Sequence, residues 1–515
     1  MTSANPSATP AANPRLPVSD VQEAGRTASD SASTNASAAA RRPLKADLVI
    51  VGGGSAGLSA AAGAAMLGLN VVLYEKGEMG GDCLNYGCVP SKALLSAAKM
   101  AATAKKSANF GVTLGEPQID WEAVKAHVKR AIATIAPVDS QERFEGLGVT
   151  VIREHARFED RKTIVSDTTR TMARRIIIAT GSTAFLPPLP GLDQVAYLTN
   201  ETIFDVDTLP DHLVILGGGP IGMEMAQAFN RFGASVTVIE MGQALGRSDR
   251  AHAEIAIEAL REEGVTILEG HAAKRISRET DGRITVHAGG DGGETAITGS
   301  HLLVALGRRA VIDGLDLDAG GVDHDGRSVT VGSSLRSPSN GRVWALGDVA
   351  GEGQFTHLAG WHASVFVRRA LFKQGSTGDS LPLPAVTYTA PEVAQIGLTE
   401  AEARSQFGDN VSTSSFPFEE NDRAIAEADT RGEAKLIIRK GKLLGASIVG
   451  EGAGDILQLV SVAMSNGLKV KDLTNFISPY PTRAEVVKRA ASAHFTDVVF
   501  GSGAKRLVSL LQRIP

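Results

Sequence analysis

Cysteine is nearly absent from this chain of 515 residues, which contains only Cys83 and Cys88. Two cysteines exclude the disulfide framework that stabilises many small secreted proteins. The first residues also lack the basic, apolar and small-residue pattern of a secretory signal peptide, so we expect a cytoplasmic protein. The two thiols lie five positions apart, and this proximity indicates a shared function.

Aromatic residues and excess positive charge are also lacking. Aromatic residues make up 5% of the chain, and the formal net charge is −5 with no run of basic residues. Nucleic-acid-binding proteins concentrate positive charge, so we expect no nucleic-acid partner. Glycine, in contrast, is abundant at 56 residues. This balance is typical of an α/β protein, whose strands turn sharply into helices.

The first 45 residues lack an aliphatic pattern and are rich in alanine, serine, threonine and proline. This composition predicts a disordered tail over residues 1–45. A transit peptide is the alternative, because arginines occur at Arg15, Arg26, Arg41 and Arg42. Asp20, Glu23 and Asp30 disfavour it, because transit peptides contain few acidic residues.

The first of two glycine-rich turns lies in the segment ADLVIVGGGSAGLSAAAGAAMLGLNVVLYEK. Gly52, Gly54 and Gly57 separate an apolar strand from a helix, and a second strand ends at Glu75. In dinucleotide-binding folds, such glycines permit a tight turn, close approach of the backbone to a pyrophosphate and close packing of the helix. Glu75 lies 18 residues beyond Gly57, where an acid can bind ribose hydroxyls. We therefore predict a dinucleotide site here, against the alternative of a turn that binds nothing.

Residues 56–74 of the same segment are apolar over roughly the length of a membrane span. The stretch changes from an alanine-rich helical pattern to the β-branched letters NVVLY. That change predicts a buried helix followed by a buried parallel strand. We expect no membrane span.

The second glycine-rich turn lies in HLVILGGGPIGMEMAQAFNRFGASVTVIEMG, with Gly217, Gly219 and Gly222 in the equivalent positions. Glu240 again lies 18 residues beyond the last glycine. The repeat predicts a second Rossmann unit and hence a second dinucleotide. A carboxylate here accepts hydrogen bonds from a free 2′-hydroxyl and repels a 2′-phosphate, which favours NADH over NADPH. Arg247 would weaken this preference, unless it is a solvated loop charge.

The two cysteines immediately precede a predicted helix, PSKALLSAAKMAATAKK. At a helix start, their spacing allows the two Cα atoms to approach within about 4.4–6.8 Å, as a disulfide requires. A helix N-terminus also lowers the pKa of a thiol. We therefore predict a redox-active disulfide between Cys83 and Cys88. Metal binding is the main alternative, but a structural zinc site needs four ligands, which leaves the thiols as transient ligands of a soft metal.

A short motif, VWALGDVAG, adds Gly347 and Asp348 after an apolar strand. With it, the two glycine turns and the segment GGDCLNYGCVPSKALL resemble the FAD-dependent pyridine nucleotide–disulfide oxidoreductases over about residues 46–500. The segments IIIATGS, LLVALGRR, FTHLAG and TAPEVAQIGLTEAEA are also similar to that family. The resemblance implies an α/β fold with two Rossmann-like dinucleotide-binding domains and a C-terminal α+β dimerisation domain. It also implies a homodimer that uses FAD and either NADH or NADPH.

The resemblance divides the chain into five parts. They are the tail (1–45), the first part of the FAD domain with the disulfide (46–182), the NAD(P)H domain (183–309), a central part that completes the FAD domain (310–380) and the dimerisation domain (381–515).

The resemblance also assigns roles to individual residues. In the family, hydride passes from nicotinamide to flavin, and electrons then pass to the disulfide and on to a small acceptor. Cys88 would be the thiol next to the flavin, and Cys83 the exposed thiol that attacks the substrate. The other implied residues are Glu75 at the FAD adenosine ribose, Asp348 at the ribityl chain, the amides near His357 at the flavin pyrimidine, the pair Lys92 and Glu224 near flavin N5, and Gly181 and Gly307 as cofactor-binding glycines.

The C-terminal segment ISPYPTRAEVVKRAA departs from the pattern of lipoamide and glutathione reductases. Those enzymes carry a histidine where this chain has Tyr480, whereas their following glutamate is kept as Glu485. A disulfide substrate needs an acid–base group with a pKa near neutrality, and phenol is a poor one at pH 7. Mercuric reductases resemble this chain in carrying a tyrosine there, and Tyr197 resembles a second tyrosine of theirs. The family's dimer places this segment over the partner subunit's disulfide.

Two features of mercuric reductases are missing, namely a C-terminal cysteine pair and an N-terminal CxxC domain. We therefore predict a mercuric reductase-like NAD(P)H oxidoreductase that passes electrons through FAD and the disulfide to Hg(II) or another small soft electrophile. A dihydrolipoamide dehydrogenase is the alternative. A non-enzymatic thiol redox sensor or soft-metal binder is a further alternative, which the two nucleotide motifs disfavour.

Overall fold

The first glycine turn lies in a mixed sheet near the start of the described chain. The computed structural model describes residues 41–290, 292–375 and 381–513. The first strands are β1 (Arg42–Val51), β2 (Val71–Tyr74), β3 (Thr150–Ile152), β4 (Arg157–Asp160), β5 (Thr163–Val165), β6 (Thr169–Ile178) and β7 (Ser182–Ala184). The first helices are α1 (Ser55–Met66), α2 (Gly81–Asn85), α3 (Cys88–Lys106), α4 (Trp121–Asp139) and α5 (Gln141–Gly146).

The second glycine turn opens a region with its own sheets. Its strands are β8 (His212–Leu216), β9 (Ser235–Ile239), β10 (Thr266–Leu268), β11 (Ala272–Arg278), β12 (Ile284–Gly290), β13 (Gly293–Gly299), β14 (His301–Val304) and β15 (Arg308–Ala310), and its helices are α6 (Pro220–Arg231) and α7 (Arg250–Glu262). The chain continues with β16 (Val343–Ala345) and α8 (Thr356–Phe366). The last strands are β17 (Pro384–Thr387), β18 (Glu392–Gly397), β19 (Ser412–Pro417), β20 (Glu433–Arg439) and β21 (Lys442–Gly450). The last helices are α9 (Glu400–Phe407), α10 (Asp422–Ala426), α11 (Ala453–Ser465), α12 (Glu485–Ala493), α13 (Thr496–Phe500) and α14 (Ser502–Leu511).

Strand β6 organises the first sheet. β1 pairs with it in parallel along its length. On the other side, the first half of β6 pairs with antiparallel β5, and its last three residues pair with parallel β16. Leu48 and Ile50 of β1 pack in the apolar cluster that contains α1, whereas Val49 and Val51 pack in a second cluster. Both faces of this sheet are therefore buried, which explains the continuous apolar letters of β1.

The second glycine turn lies in an equivalent parallel sheet. Its order is β10-β9-β8-β14, which matches the order β3-β2-β1-β6 of the first sheet and is the Rossmann arrangement. Helix α6 begins at Pro220, because the fixed φ and missing amide of proline suit a first helical position. The remaining strands of this region form the antiparallel sheets β11-β12-β13 and β15-β7.

The C-terminal region is a five-stranded antiparallel sheet in the order β17-β18-β21-β20-β19. Ile448 of β21, Leu457 of α11 and Val487 of α12 are buried in one apolar cluster that joins this sheet to its helices. Two Rossmann-like units followed by an α+β region form the fold class that the sequence predicts.

A buried polar network joins the second Rossmann unit to the C-terminal sheet. The carboxylate of Asp249, which caps α7, lies 2.8 Å from the ammonium of Lys435 on β20. His252 contacts Ser447 and Glu433 across the same boundary. Burial alone would raise the pKa of Asp249, but the hydrogen bond and charge of Lys435 lower it below its ordinary value. The pair therefore stabilises the fold at neutral pH, and its contribution is lost only as pH falls through this lowered pKa.

The predicted tail is too long at its C-terminal end. Residues 42–45 belong to β1, where Arg42 lies opposite Thr169 and Lys45 lies opposite Met172. Pairing with a strand more than 100 residues away satisfies their backbone groups, and composition does not reveal such pairing. Residues 1–40 of the predicted tail lie outside the described residues, and the domain boundaries stay predictions. Among the described helices, none is long and apolar enough to cross a membrane.

We predict that Lys435→Met lowers the free energy of unfolding by about 3 kcal/mol, because it leaves the buried carboxylate of Asp249 without its partner. Chemical unfolding followed by circular dichroism measures the change. Lys442→Met, at an exposed position of β21, is the matched control and should change it by less than about 0.5 kcal/mol. Equal effects of the two variants would contradict a role for the buried pair.

Candidate active site

The first glycine turn has positions that accept no side chain. Gly52 has a φ of 113°, and a Cβ there would lie 2.3 Å from the carbonyl oxygen of Ala179. A Cβ on Gly57 would lie 1.9 Å from the carbonyl oxygen of Gly52. A Cβ on Gly54, at the start of α1, would meet nothing closer than 3.8 Å. The turn thus packs tightly against its own sheet and leaves open space at the helix N-terminus, where a phosphate group fits.

The second turn repeats this geometry. Gly217 has a φ of 106°, and a Cβ there would lie 2.4 Å from the carbonyl oxygen of Ala305. A Cβ on Gly222 would lie 2.0 Å from the carbonyl oxygen of Gly217, whereas one on Gly219 would meet no atom within 4 Å. Both turns therefore provide the same opening at the start of a helix.

The two predicted ribose acids also occupy equivalent positions. Each carboxylate follows the second strand of its unit and accepts hydrogen bonds from two glycine amides, one in the turn and one in the next loop. The donors are Gly53 at 2.5 Å and Gly77 at 2.6 Å for Glu75, and Gly218 at 2.7 Å and Gly242 at 2.8 Å for Glu240. These bonds hold both carboxylates beside the openings.

A cavity of about 1180 Å³ extends from the first turn to the thiols. The predicted residues that line it are Gly52, Gly54, Glu75, Cys83, Cys88, Lys92, Gly181, Glu224, Asp348 and His357. Its size and its lining fit a dinucleotide such as FAD. The predicted residues outside its lining are Gly57, Gly217, Gly219, Gly222, Glu240, Gly307, Tyr480 and Glu485.

Cys83 lies on α2, and Cys88 is the first residue of α3. Both are thiols in this structure. Interaction with Cys83, followed by the effects of Thr356 and Lys92, lowers the pKa of Cys88 to about 6 against the effect of burial. The same contact, together with burial, raises the pKa of Cys83. At neutral pH a thiolate is therefore favoured at Cys88 over Cys83.

Cys88 is exposed and Cys83 is partly buried. Both line the cavity, and the exposed surface of Cys88 faces this internal space, beside which the resemblance places the flavin. Attack on the substrate by Cys83 stays a prediction. In the part of the chain that the structure describes, no group of three or more His, Cys, Asp or Glu residues is placed to hold a metal ion.

Lys92 and Glu224 form the ion pair that the resemblance implies. Lys92 Nζ lies 2.8 Å from Glu224 Oε2, and the glutamate side chain is only 5% exposed. The other carboxylate oxygen accepts a hydrogen bond from the amide of Tyr388 at 3.0 Å, and Lys92 Nζ lies 4.3 Å from the Tyr388 ring centroid. These contacts satisfy the buried carboxylate and hold the ammonium near Cys88.

The structure adds a polar network that the sequence analysis missed. The hydroxyl of Ser182 donates to Asp348 at 2.5 Å and accepts from Arg308 Nε at 2.8 Å. Arg308 Nη2 lies 3.0 Å from Asp82 Oδ1, which also accepts from Asn200 at 2.9 Å. Burial raises the pKa of Asp348, while Ser182 and Arg308 oppose this. Asp82 adjoins Cys83 and lies in the quoted cysteine segment, but only the fold shows its partners.

Helix α8 presents its N-terminus to the same cavity. Phe355, Thr356 and His357 line it, and His357 Nε2 lies 2.9 Å from the carbonyl oxygen of Pro384. Gly181 and Gly307 have φ values of 67° and 103°. They adopt left-handed conformations that favour glycine.

Tyr480 and Glu485 lie apart from the cavity. The hydroxyl of Tyr480 donates to Asp422 Oδ2 at 3.0 Å, and the residue is 69% exposed. The hydrogen bond to Asp422 raises the pKa of Tyr480. Glu485 begins α12 and forms an ion pair with Arg489 at 3.1 Å. Contact of this segment with a partner subunit stays a prediction.

Two family models match the chain. One, described as pyridine nucleotide-disulphide oxidoreductase, matches residues 46–363. The other, described as the dimerisation domain of the same family, matches residues 383–491.

Individual proteins are similar over most of their length. The chain is 36% identical over 460 residues to a mercuric reductase of Streptomyces lividans, which covers 88% of this chain and 97% of that protein. It is 32% identical over 457 residues to a dihydrolipoyl dehydrogenase of Staphylococcus aureus, and the match covers 87% of this chain and 96% of that protein. The solved Cu(II) complex of the HOCl-induced flavoprotein disulfide reductase RclA from Escherichia coli has a TM-score of 0.77 and 27% identity, covering 86% of this chain and 99% of that one.

We predict that Lys92→Gln raises the pKa of Cys88, because the charge of Lys92 stabilises the thiolate. In the reduced wild-type protein, alkylation of Cys88 by iodoacetamide should rise with pH with a midpoint of about 6. At pH 6 the variant should react about fivefold more slowly, which corresponds to a rise of about one pKa unit. Lys99→Gln, on the same helix and also paired with a glutamate, is the control. Equal slowing in both variants would exclude the proposed charge effect.

Asp82→Asn should lower the pKa of Cys88, because the carboxylate of Asp82 raises it. Asparagine keeps the size and an acceptor for Arg308. At pH 5, alkylation of Cys88 should be about threefold faster than in the wild type, as expected for a fall of about half a pKa unit. Glu78→Gln, which neutralises an exposed acid of the preceding loop, should leave the rate unchanged. A slower reaction in Asp82→Asn would show that the loop has lost its geometry instead.

Proposed function

Because this chain belongs to the pyridine nucleotide–disulphide oxidoreductase family, we propose that it reduces a soft electrophile, with Hg(II) as the first candidate, at the dithiol of Cys83 and Cys88. The family and its relatives establish the class, a flavoprotein disulfide oxidoreductase that uses FAD and NAD(P)H. The choice of substrate is the proposed step. One observation carries it: the pKa of Cys88 is lowered towards the thiolate, while position 480, which we place near the partner subunit's disulfide, holds a tyrosine and not a neutral-range acid–base group.

The residues around the first turn are the proposed FAD site. When bound, FAD accepts a hydride from NAD(P)H and supplies the electron pair that reduces a neighbouring disulfide. Gly54 leaves room for the pyrophosphate at the start of α1, and Glu75 is placed to bind the adenosine ribose. Asp348, held by Ser182, would bind the ribityl hydroxyls. The first turn of α8 at His357 would present backbone amides to the flavin pyrimidine.

The second turn is the proposed nicotinamide nucleotide site, with NADH preferred over NADPH. Glu240 is held beside the open side of Gly219 by two amide hydrogen bonds. In that position it would accept from a ribose 2′-hydroxyl and repel a 2′-phosphate. Arg247 is exposed in the following loop, where its charge is solvated.

The thiol pair provides both the ligand and the redox chemistry for a soft cation. Thiolates bind soft metal ions strongly, and Cys88 is ionised at neutral pH. When this thiolate and thiol return to the disulfide, they release two electrons and one proton. Hg(II) accepts both electrons and becomes Hg(0), and the hydride of NAD(P)H then restores the thiolate and the thiol.

Tyr480 disfavours a disulfide substrate. Reduction of a disulfide leaves a thiolate that needs a proton, and an imidazole supplies one at neutral pH. The phenol of Tyr480 donates its hydrogen bond to Asp422, which raises its pKa further from neutrality. Reduction of a metal ion cleaves no substrate disulfide, so it does not require this protonation and tolerates Tyr480.

The relatives also bear on the oligomeric state and on other candidate substrates. The dimerisation domain indicates a homodimer, in which we place Tyr480 and Glu485 near the partner subunit's disulfide. Dihydrolipoyl dehydrogenase activity is the second candidate, because a relative of that name is 32% identical. The RclA structure is a Cu(II) complex, which adds copper to the candidate metals. A cytoplasmic location stays a prediction.

We expect the purified, FAD-loaded protein to oxidise NADH when Hg(II) is supplied with excess thiol, and to be about 100-fold less active with oxidised lipoamide. Absorbance at the nicotinamide band measures both rates. Cys88→Ser should abolish metal-dependent turnover. Lipoamide turnover equal to that with Hg(II) would overturn the proposed substrate and favour the dehydrogenase.

The role of Tyr480 has its own test. Tyr480→His should raise lipoamide turnover by about tenfold or more, because it introduces a group that ionises near neutrality. Tyr480→Phe is the matched control, and its rate of lipoamide turnover should equal that of the wild type. No gain in Tyr480→His would mean that another feature sets the preference.

A further inference from the structure

A second concave site lies apart from the cofactor cavity. It is a groove of about 720 Å³ lined by basic side chains, which we call the arginine groove. Its arginines are Arg161, Arg174, Arg175, Arg336, Arg342 and Arg369. Lys373 adds a seventh positive charge. The chain as a whole has a net charge of −5, so this concentration of positive charge is local.

The arginine groove lies at the edge of the first sheet opposite the cofactor openings. Arg174 and Arg175 precede the part of β6 that pairs with β16, and Arg342 directly precedes β16. These residues mark the N-terminal ends of parallel strands, whereas nucleotides in such sheets bind beyond the carboxyl ends. No described residue lines both the groove and the cofactor cavity. The groove is therefore a separate site.

Several of these guanidinium groups have no carboxylate to neutralise them. Their hydrogen bonds go to backbone carbonyls: Arg161 to Ser339 at 2.6 Å, Arg336 to Gly341 at 2.6 Å, and Arg342 to Arg174 at 3.3 Å. Within the described residues, no carboxylate forms an ion pair with these three side chains. A bound anion would supply the missing negative charge.

Two arginines of β6 show how the charges differ inside and outside the groove. Arg170, earlier on β6, forms an ion pair with Glu159 at 2.5 Å. For Arg175, burial and the charge of Arg174 lower the pKa, and Asp47 is the acid that opposes them. Arg174 therefore repels Arg175 within the groove, whereas an arginine on the same strand outside it is paired.

We propose that the arginine groove binds a compact oligophosphate, either free or as part of a nucleotide. One guanidinium group can bind two phosphate oxygens at once. Several guanidinium groups together therefore suit a chain of phosphates better than a single phosphate. The volume of the groove is within the range of small-molecule sites, about 300–1000 Å³, which favours a compact ligand over an extended polymer. This site does not depend on the redox function proposed above.

The test uses the FAD-loaded protein saturated with NAD⁺, so that both dinucleotide sites are filled. Isothermal titration calorimetry at constant ionic strength compares tripolyphosphate, ATP and sulfate. Tripolyphosphate should bind at least about tenfold more tightly than sulfate, because it makes more charge-assisted contacts. Similar affinities for tripolyphosphate and ATP would identify the phosphate chain as the ligand. Much tighter binding of ATP would assign the site to a nucleotide.

Matched variants locate the binding. Arg174→Gln and Arg342→Gln neutralise exposed groove residues and should each weaken tripolyphosphate binding about tenfold. Arg170→Gln neutralises an exposed arginine of the same strand outside the groove and should leave binding unchanged. Bound FAD and the circular dichroism spectrum confirm that each variant is folded.

Three results would overturn the proposal. They are equal weakening by Arg170→Gln, sulfate affinity equal to that of tripolyphosphate, and tighter binding of a single-stranded RNA oligonucleotide than of tripolyphosphate at the same phosphate concentration. The first two results would indicate only a general charge effect. The third would indicate a surface that binds a nucleic-acid polymer. Because the readout is binding, failure here leaves the proposed reductase activity unaffected.

Discussion

The interaction between the thiols of Cys83 and Cys88 is the one on which the rest of the site depends. It places the negative charge on one sulfur, because the pKa of Cys88 falls while that of Cys83 rises. Distant parts of the chain support this asymmetry: α8 supplies Thr356 beside the Cys88 sulfur, and α6 supplies the buried Glu224 that holds Lys92. A thiol pair on two neighbouring helices thus derives its chemistry from two further parts of the fold.

The thiols reach the first nucleotide turn because glycine removes side chains where the two segments meet. Gly80 and Gly81 have φ values of 87° and 62°, and a Cβ on Gly81 would lie 2.8 Å from the Cα of Gly54. At the second turn a Cβ on Gly219, the equivalent of Gly54, would meet no atom within 4 Å. The same dinucleotide geometry therefore occurs twice, and the first copy is the one joined to the cysteine loop.

The parts of the site that depend on short spacings could be predicted from the sequence. The glycine turns, the acids that follow them and the cysteine pair are all local patterns. The network around Asp82 could not be predicted, because its contact with Asn200 spans 118 positions in the chain. The start of β1 at Arg42 differs from expectation for the same reason. It depends on pairing with a distant segment, which no local pattern records.

Asp82 has a chemical consequence beyond ordering the loop. Its charge disfavours the thiolate of Cys88, whereas Lys92 favours it. The ion pair with Arg308 weakens the effect of Asp82 without removing it. A thiolate of very low pKa is a poor nucleophile, and a thiol of ordinary pKa is mostly protonated at neutral pH. Opposed charges on the two sides of the pair therefore hold Cys88 where it is both ionised and reactive, which is the condition that a thiol needs to bind a soft electrophile and then give up its electrons.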